Sequence, residues 1–96
     1  MEIKITKNPN PGQKPQDESK LGFGKVFTDH MFLYDWNDKE GWHDARIVPF
    51  GDLVLHPAST VFHYALEVFE GLKAYRTASG DVQLFRPEEN AKRMFN

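Results

Sequence analysis

Arg93 is the residue best suited to grip an anion. It lies about two turns into a helix that Pro87 can open, one residue before the apolar Met94. There its planar fork can present two N–H groups to a phosphate or carboxylate. From the pattern alone, the better reading is an exposed helical arginine whose stem covers apolar surface. Tyr64 and Phe69 fall on an apolar stretch and read as core. Phe23 stands between Gly22 and Gly24, where it either projects into a pocket or anchors the segment. His30, His43, His56 and His63 match no zinc-ligand spacing. Gly22-x-Gly24 lacks the rest of a dinucleotide fingerprint, and no Walker loop is present. Glu88-Glu89 suit the positive end of a helix better than acid–base chemistry.

Several elements must position these residues. Residues 1–22, with Pro9, Pro11 and Pro15 among polar side chains, read as an extended amino-terminal arm, and residues 23–96 as the ordered portion. Val26 to Tyr34 reads as a strand that ends in the charged turn Asp35 to Gly41. Ile47 to Leu55 is a second apolar stretch. Pro49 and Gly51 interrupt it, which predicts an edge strand or a loop. Ser59 and Thr60 are good N-caps for a helix carrying Phe62, Ala65, Leu66 and Phe69 at helical spacing, with Gly71 as its stop. Its polar stripe is only His63, Glu67 and Glu70, so such a helix needs cover on most sides. Leu72–Arg76 and Val82–Arg86 predict the arms of a hairpin around Thr77–Asp81. From Pro87 a helix begins an apolar face at Ala91, Met94 and Phe95, and the sequence stops at Asn96 before that face is complete. The pattern is that of a truncated chain.

Composition limits what the chain can be. Its 96 residues are enough for one small domain, 40 % of them apolar and eight of them Phe. A net charge of −2 gives no basic excess for nucleic acid or an anionic membrane. Without cysteine there is neither a disulfide framework nor a thiolate metal site. No segment approaches the length of a membrane span and the first residues lack a signal-peptide core, so the expected location is cytoplasmic.

Four segments decide between the open alternatives. Phe23-Gly24-Lys25-Val26-Phe27-Thr28-Asp29-His30-Met31, Leu55-His56-Pro57-Ala58-Ser59, Phe62 to Arg76, and Leu84-Phe85-Arg86-Pro87-x-x-Asn90-x-x-Arg93-Met94 resemble branched-chain amino-acid aminotransferases in order and spacing. The His63-Tyr64 to Phe69-Glu70-Gly71 segment alone would indicate only the wider fold-type IV group. That group includes D-amino-acid aminotransferases and aminodeoxychorismate lyases. The first two segments narrow it.

The resemblance implies an α+β fold: the amino-terminal part of the small domain of a fold-type IV enzyme, a β-hairpin or sheet with packed helices, incomplete here. It implies a homodimer joined through the small domain, acting on branched-chain amino acids and 2-oxo acids. The expected reaction moves the amino group between L-Leu, L-Ile or L-Val and 2-oxoglutarate on pyridoxal 5′-phosphate (PLP). It further implies that Arg93 grips the cofactor phosphate, that Phe23 and Phe69 wall the side-chain pocket, and that Tyr64 serves the neighbouring subunit's site. An apolar pocket separates these substrates weakly, since one methylene is worth about 1–3 kcal/mol. Lys4, Lys7, Lys14, Lys20, Lys25, Lys39, Lys73 and Lys92 all fall outside the family's Schiff-base context, so the chain by itself carries no catalytic lysine and is expected to be inactive. The rival expectations are a non-catalytic interaction module and a fragment of one of the other fold-type IV enzymes.

Overall fold

A computed structural model describes residues 1–95; Asn96, at which the second expected span closes, lies outside the described residues. The chain divides into two compact units, Met1–Val54 and Leu55–Asn96.

The first unit is built on one long hairpin. Strand β2 (His30–Asn37) pairs antiparallel with β3 (Gly41–Pro49), from His30 against Pro49 to Asn37 against Gly41. The strand expected over Val26–Tyr34 therefore starts later and runs further. Asp35 to Asn37 remain in the ladder, and the turn is confined to Asp38–Glu40. The Asn37 side-chain oxygen organises this turn by accepting from the Lys39 and Glu40 amides at 3.0 and 2.7 Å. Gly41 completes it at φ +68°, a left-handed conformation that side-chain-bearing residues adopt only at a cost. Of the charged residues in the expected turn, Asp38, Lys39 and Glu40 do form it and only Asp35 joins the strand, because backbone pairing satisfies its amide regardless of side-chain polarity.

A β-bulge bends the hairpin. From Leu33 to Asp35 β2 advances two residues while the facing step on β3, Arg46 to His43, takes three. Asp44, one of the two residues facing Tyr34 there, sits at φ +58°. Its neighbour Ala45 is the one buried residue among those described, 4 % exposed. Arg46 crosses the bulge, its Nη1 donating to the Asp35 carboxylate at 3.0 Å and to the Asp44 carbonyl at 2.8 Å. Tyr34 and Trp42 lie with ring centroids 5.0 Å apart, a cross-strand aromatic contact that stiffens one face.

β1 (Lys4–Ile5) adds a parallel strand on the far side of β3, giving the order β1-β3-β2. This corrects the expectation for the first part of the Ile47–Leu55 stretch: Ile47 lies in the central strand, between Ile5 and Phe32, while Phe50 to Leu55 form the expected loop. Pro49 is accommodated because it is the last residue of the ladder, where a missing N–H costs little. The arm is fastened again beyond β1. The Asn8 amide donates to His30 Nε2 at 2.9 Å and the Gly12 amide to Asp29 Oδ1 at 2.8 Å.

In the second unit the expected helix over Ser59–Gly71 is absent. A single 3-10 turn, Thr60–Phe62, forms, and no helix or strand follows before Ala74. Ser59 makes no capping bond, and Ala65 turns left-handed at φ +51°. Two physical reasons account for the difference. Val61, Phe62, His63 and Tyr64 are poor helix formers that depend on tertiary cover, and Val61, Phe62 and Tyr64 are exposed here. Local side-chain bonds compete as well: His56 Nδ1 takes the Ala58 amide at 3.0 Å, and the His63 ring meets the Pro57 carbonyl at 2.6 Å.

The hairpin that follows is as expected but shorter. β4 (Ala74–Arg76) pairs with β5 (Val82–Leu84) around a turn closed by the Thr77 amide on the Asp81 carbonyl at 2.8 Å. α1 (Pro87–Met94) then places Pro87 in its first turn with Glu88 and Glu89, and Lys92 and Arg93 in its last. The architecture is mixed α and β with two small sheets. The expectation of several packed helices reduces to this one α-helix among the described residues.

Candidate functional site around Glu70 and Arg93

α1 carries both of its site-forming side chains on one face, three residues apart. Arg93 donates through Nε to Glu70 Oε2 at 2.8 Å and through Nη2 to Glu70 Oε1. Asn90, a turn earlier, gives one amide hydrogen to Glu70 Oε1 at 2.9 Å and the other to the Gly71 carbonyl at 2.8 Å. The segment just before β4 is thereby tied to the helix through one carboxylate.

The electrostatics are one-sided. Glu70 has only 18 % of its side chain exposed, against 65 % for Arg93. Hydrogen bonding from Arg93 holds the Glu70 carboxyl below the ordinary carboxylate range; burial opposes this, and Asn90 reinforces it. The same bond raises Arg93 above its usual value. Both groups stay charged at neutral pH.

The pairing is side-on. It uses Nε and Nη2, and Nη1 donates to none of the described residues. The guanidinium therefore keeps an open edge, the chemistry a phosphate needs. These donors suit the phosphate end of PLP and no more of it. Lys92, the lysine nearest in sequence, is engaged by Glu89 at 3.1 Å.

The other expected site residues are highly exposed. Tyr64 is 76 % and Phe69 93 % exposed; Tyr64 has its ring contact with His63, centroids 6.5 Å apart. Phe23 belongs to the first unit and is 98 % exposed between glycines at φ +71° and +69°. Glu70 and Asn90 escaped residue-by-residue reading. Glu70 reads only as one member of a polar stripe, and Asn90 only as a matched position between Pro87 and Arg93. The available signal was their position inside the two segments that also hold Phe69 and Arg93.

A groove of about 600 Å³ lies in the first unit, between Gly12–Pro15 and Leu21, Val26 and Phe27. It is lined mainly by apolar side chains and backbone. No group of three or more His, Asp or Glu among the described residues is arranged to hold a metal ion. No helix among them is long and apolar enough to cross a membrane.

No family model matches the chain. Individual relatives do. The mitochondrial branched-chain-amino-acid aminotransferase of Saccharomyces cerevisiae is 53 % identical over 92 residues, 96 % of this chain and 23 % of the relative. Branched-chain-amino-acid transaminase 1 of Bacillus subtilis is 57 % identical over 82 residues, 85 % of this chain and 23 % of the relative. The mitochondrial branched-chain-amino-acid aminotransferase of Mus musculus is 50 % identical over 94 residues, 98 % of this chain and 23 % of the relative. The chain thus spans about a quarter of the length of the curated relatives it matches. In each of these pairings about half of the aligned residues are identical, and on that ground the chain belongs to the branched-chain-amino-acid aminotransferase family.

Proposed function

We propose that this chain is the amino-terminal, small-domain portion of a fold-type IV aminotransferase that moves an amino group between L-Leu, L-Ile or L-Val and 2-oxoglutarate. The observation that carries the reading is the near-complete coverage of the chain, at about half identity, by relatives named for branched-chain aminotransfer. In the whole enzyme Arg93 binds the phosphate of PLP, which when bound supplies the electron sink for the reaction. Phe23 and Phe69 line the substrate side-chain pocket, and the Tyr64 hydroxyl works at the active site of the second subunit of a homodimer. Their high exposure here agrees with surfaces that other parts of the enzyme cover. The 96-residue chain by itself does not transaminate. We assign the enzyme to the cytoplasm, although the yeast and mouse relatives are named as mitochondrial.

The test is to express the complete reading frame and assay it on L-Leu, L-Ile and L-Val with 2-oxoglutarate, beside D-Ala and aminodeoxychorismate. Turnover on the three L-substrates is expected; turnover confined to D-Ala or to aminodeoxychorismate sinks the assignment. The chain ending at Asn96 serves as control and is expected to show none. Cell fractionation checks the compartment.

A further inference from the structure

Arg93 is the group expected to meet the cofactor phosphate, yet a carboxylate already holds it. A competing anion at an anion site is a contradiction only if both use the same edge of the guanidinium. They do not. Glu70 takes the Nε–Nη2 side, leaving the Nη1 end without a partner among the described residues. A guanidinium on a flexible stem loses considerable rotational freedom when it binds. Glu70 has already removed that freedom, and Asn90 fixes Glu70 in turn with both its amide hydrogens, to Glu70 and to Gly71.

We propose that Glu70 is a positioning residue: it holds Arg93 side-on so that the Nη1 edge is presented, pre-aimed, to a phosphate monoester, with Asn90 as the brace. This rests on the reading of Arg93 as the phosphate ligand and adds how it is oriented. The device as proposed concerns the phosphate and not the cofactor's ring or aldehyde. It acts on the phosphate alone, and that makes it testable.

The experiment compares PLP with pyridoxal, which lacks the phosphate, in equilibrium binding to the complete enzyme stripped of cofactor. Glu70→Gln keeps the size but drops the charge and one of the two bonds. It is expected to weaken PLP about tenfold while leaving pyridoxal unchanged, the size of one lost charge-assisted bond. In an Arg93→Lys background the same change should cost nothing further, because the group it positions is gone. Equal weakening of both ligands, no weakening of either, or an undiminished loss in the Arg93→Lys background each overturns the proposal. Should Glu70→Gln fail to fold, Asn90→Ala is read instead, with a smaller phosphate-specific loss expected and none overturning. If Arg93→Lys loses phosphate selectivity and Glu70→Gln does not, only the positioning role falls. If neither variant changes selectivity, the assignment of Arg93 falls with it.

Discussion

Met1–Val54 and Leu55–Asn96 are held by different means. In the first, the main support is a backbone ladder from His30–Pro49 to Asn37–Gly41, and side chains as polar as Asp35 and His43 are carried along in it. In the second, two three-residue strands contribute little, and the ordering contact is a side chain: Glu70, shared by Arg93, Asn90 and, through Asn90, the Gly71 carbonyl. The difference shows which kind of structure tolerates missing cover. A ladder satisfies its own amides and needs only a thin apolar contact. A helix rich in aromatic and β-branched residues needs a surface to pack on, and the stretch from Ser59 to Gly71 does not become one here.

The comparison can be broken by substitutions that strike one mode of support and spare the other. The largest effect is expected in the second unit: Arg93→Ala in the complete enzyme should weaken PLP on the order of 100-fold, from the loss of a charged, directional phosphate partner. Equilibrium binding measures it, and unchanged affinity removes Arg93 from the site. Next comes Ala45→Asp, which puts an unpaired carboxylate at the buried point of the bulge and should cost roughly 2 kcal/mol. Amide exchange should quicken across β2 and β3 while the amides of α1 keep their rates. A uniform change in both units would mean that the two are not separately held. Gly41→Ala should cost about 1 kcal/mol, because φ +68° strains any L side chain. The added methyl meets no atom within 4 Å, so the effect is purely one of backbone, again read by exchange in the hairpin.

The smallest expected effect is one of pH. Glu70 has its carboxyl pKa lowered on folding, so its contribution is fully present above the unfolded value, near 4.5, and fades as pH falls through the lower folded value. Between neutral pH and pH 5 the Glu70–Arg93 link should therefore not change. It should release only below the ordinary carboxylate range. Carbonyl-carbon NMR of Glu70 follows this, and a titration midpoint at or above 4.5 would show the pair to be weaker than its geometry implies.

How much of this was legible beforehand follows the same division. The β4–β5 hairpin and the start of α1 were readable because their signals are local: Thr77–Asp81 is rich in turn residues, and Pro87 with two glutamates marks a first turn. The extent of β2, the central place of β3 and the pairing of Lys4–Ile5 were hidden, since strand partners far apart in sequence leave no periodic mark on polar residues such as Asp35 and His43. Ser59 to Gly71 failed in the opposite way. Its helical spacing is clear, but spacing specifies a face and not the surface that must cover it. At the site, residue type and place on the helix draw attention to Arg93, the phosphate role comes only from the family resemblance, and no spacing rule connects Arg93 to Glu70, 23 residues earlier.

The fastening of the amino-terminal arm has a consequence for cleavage. Lys4–Ile5 lie in the sheet, and the Asn8 and Gly12 amides are anchored on His30 and Asp29, so the stretch from Gln13 to Thr28 is a loop with both ends tied down. A protease cutting at Lys14 or Lys20 would sever the chain without freeing the piece. The nicked peptide would then be held along β3 only by the pairing of Lys4–Ile5 and the Asn8 and Gly12 bonds.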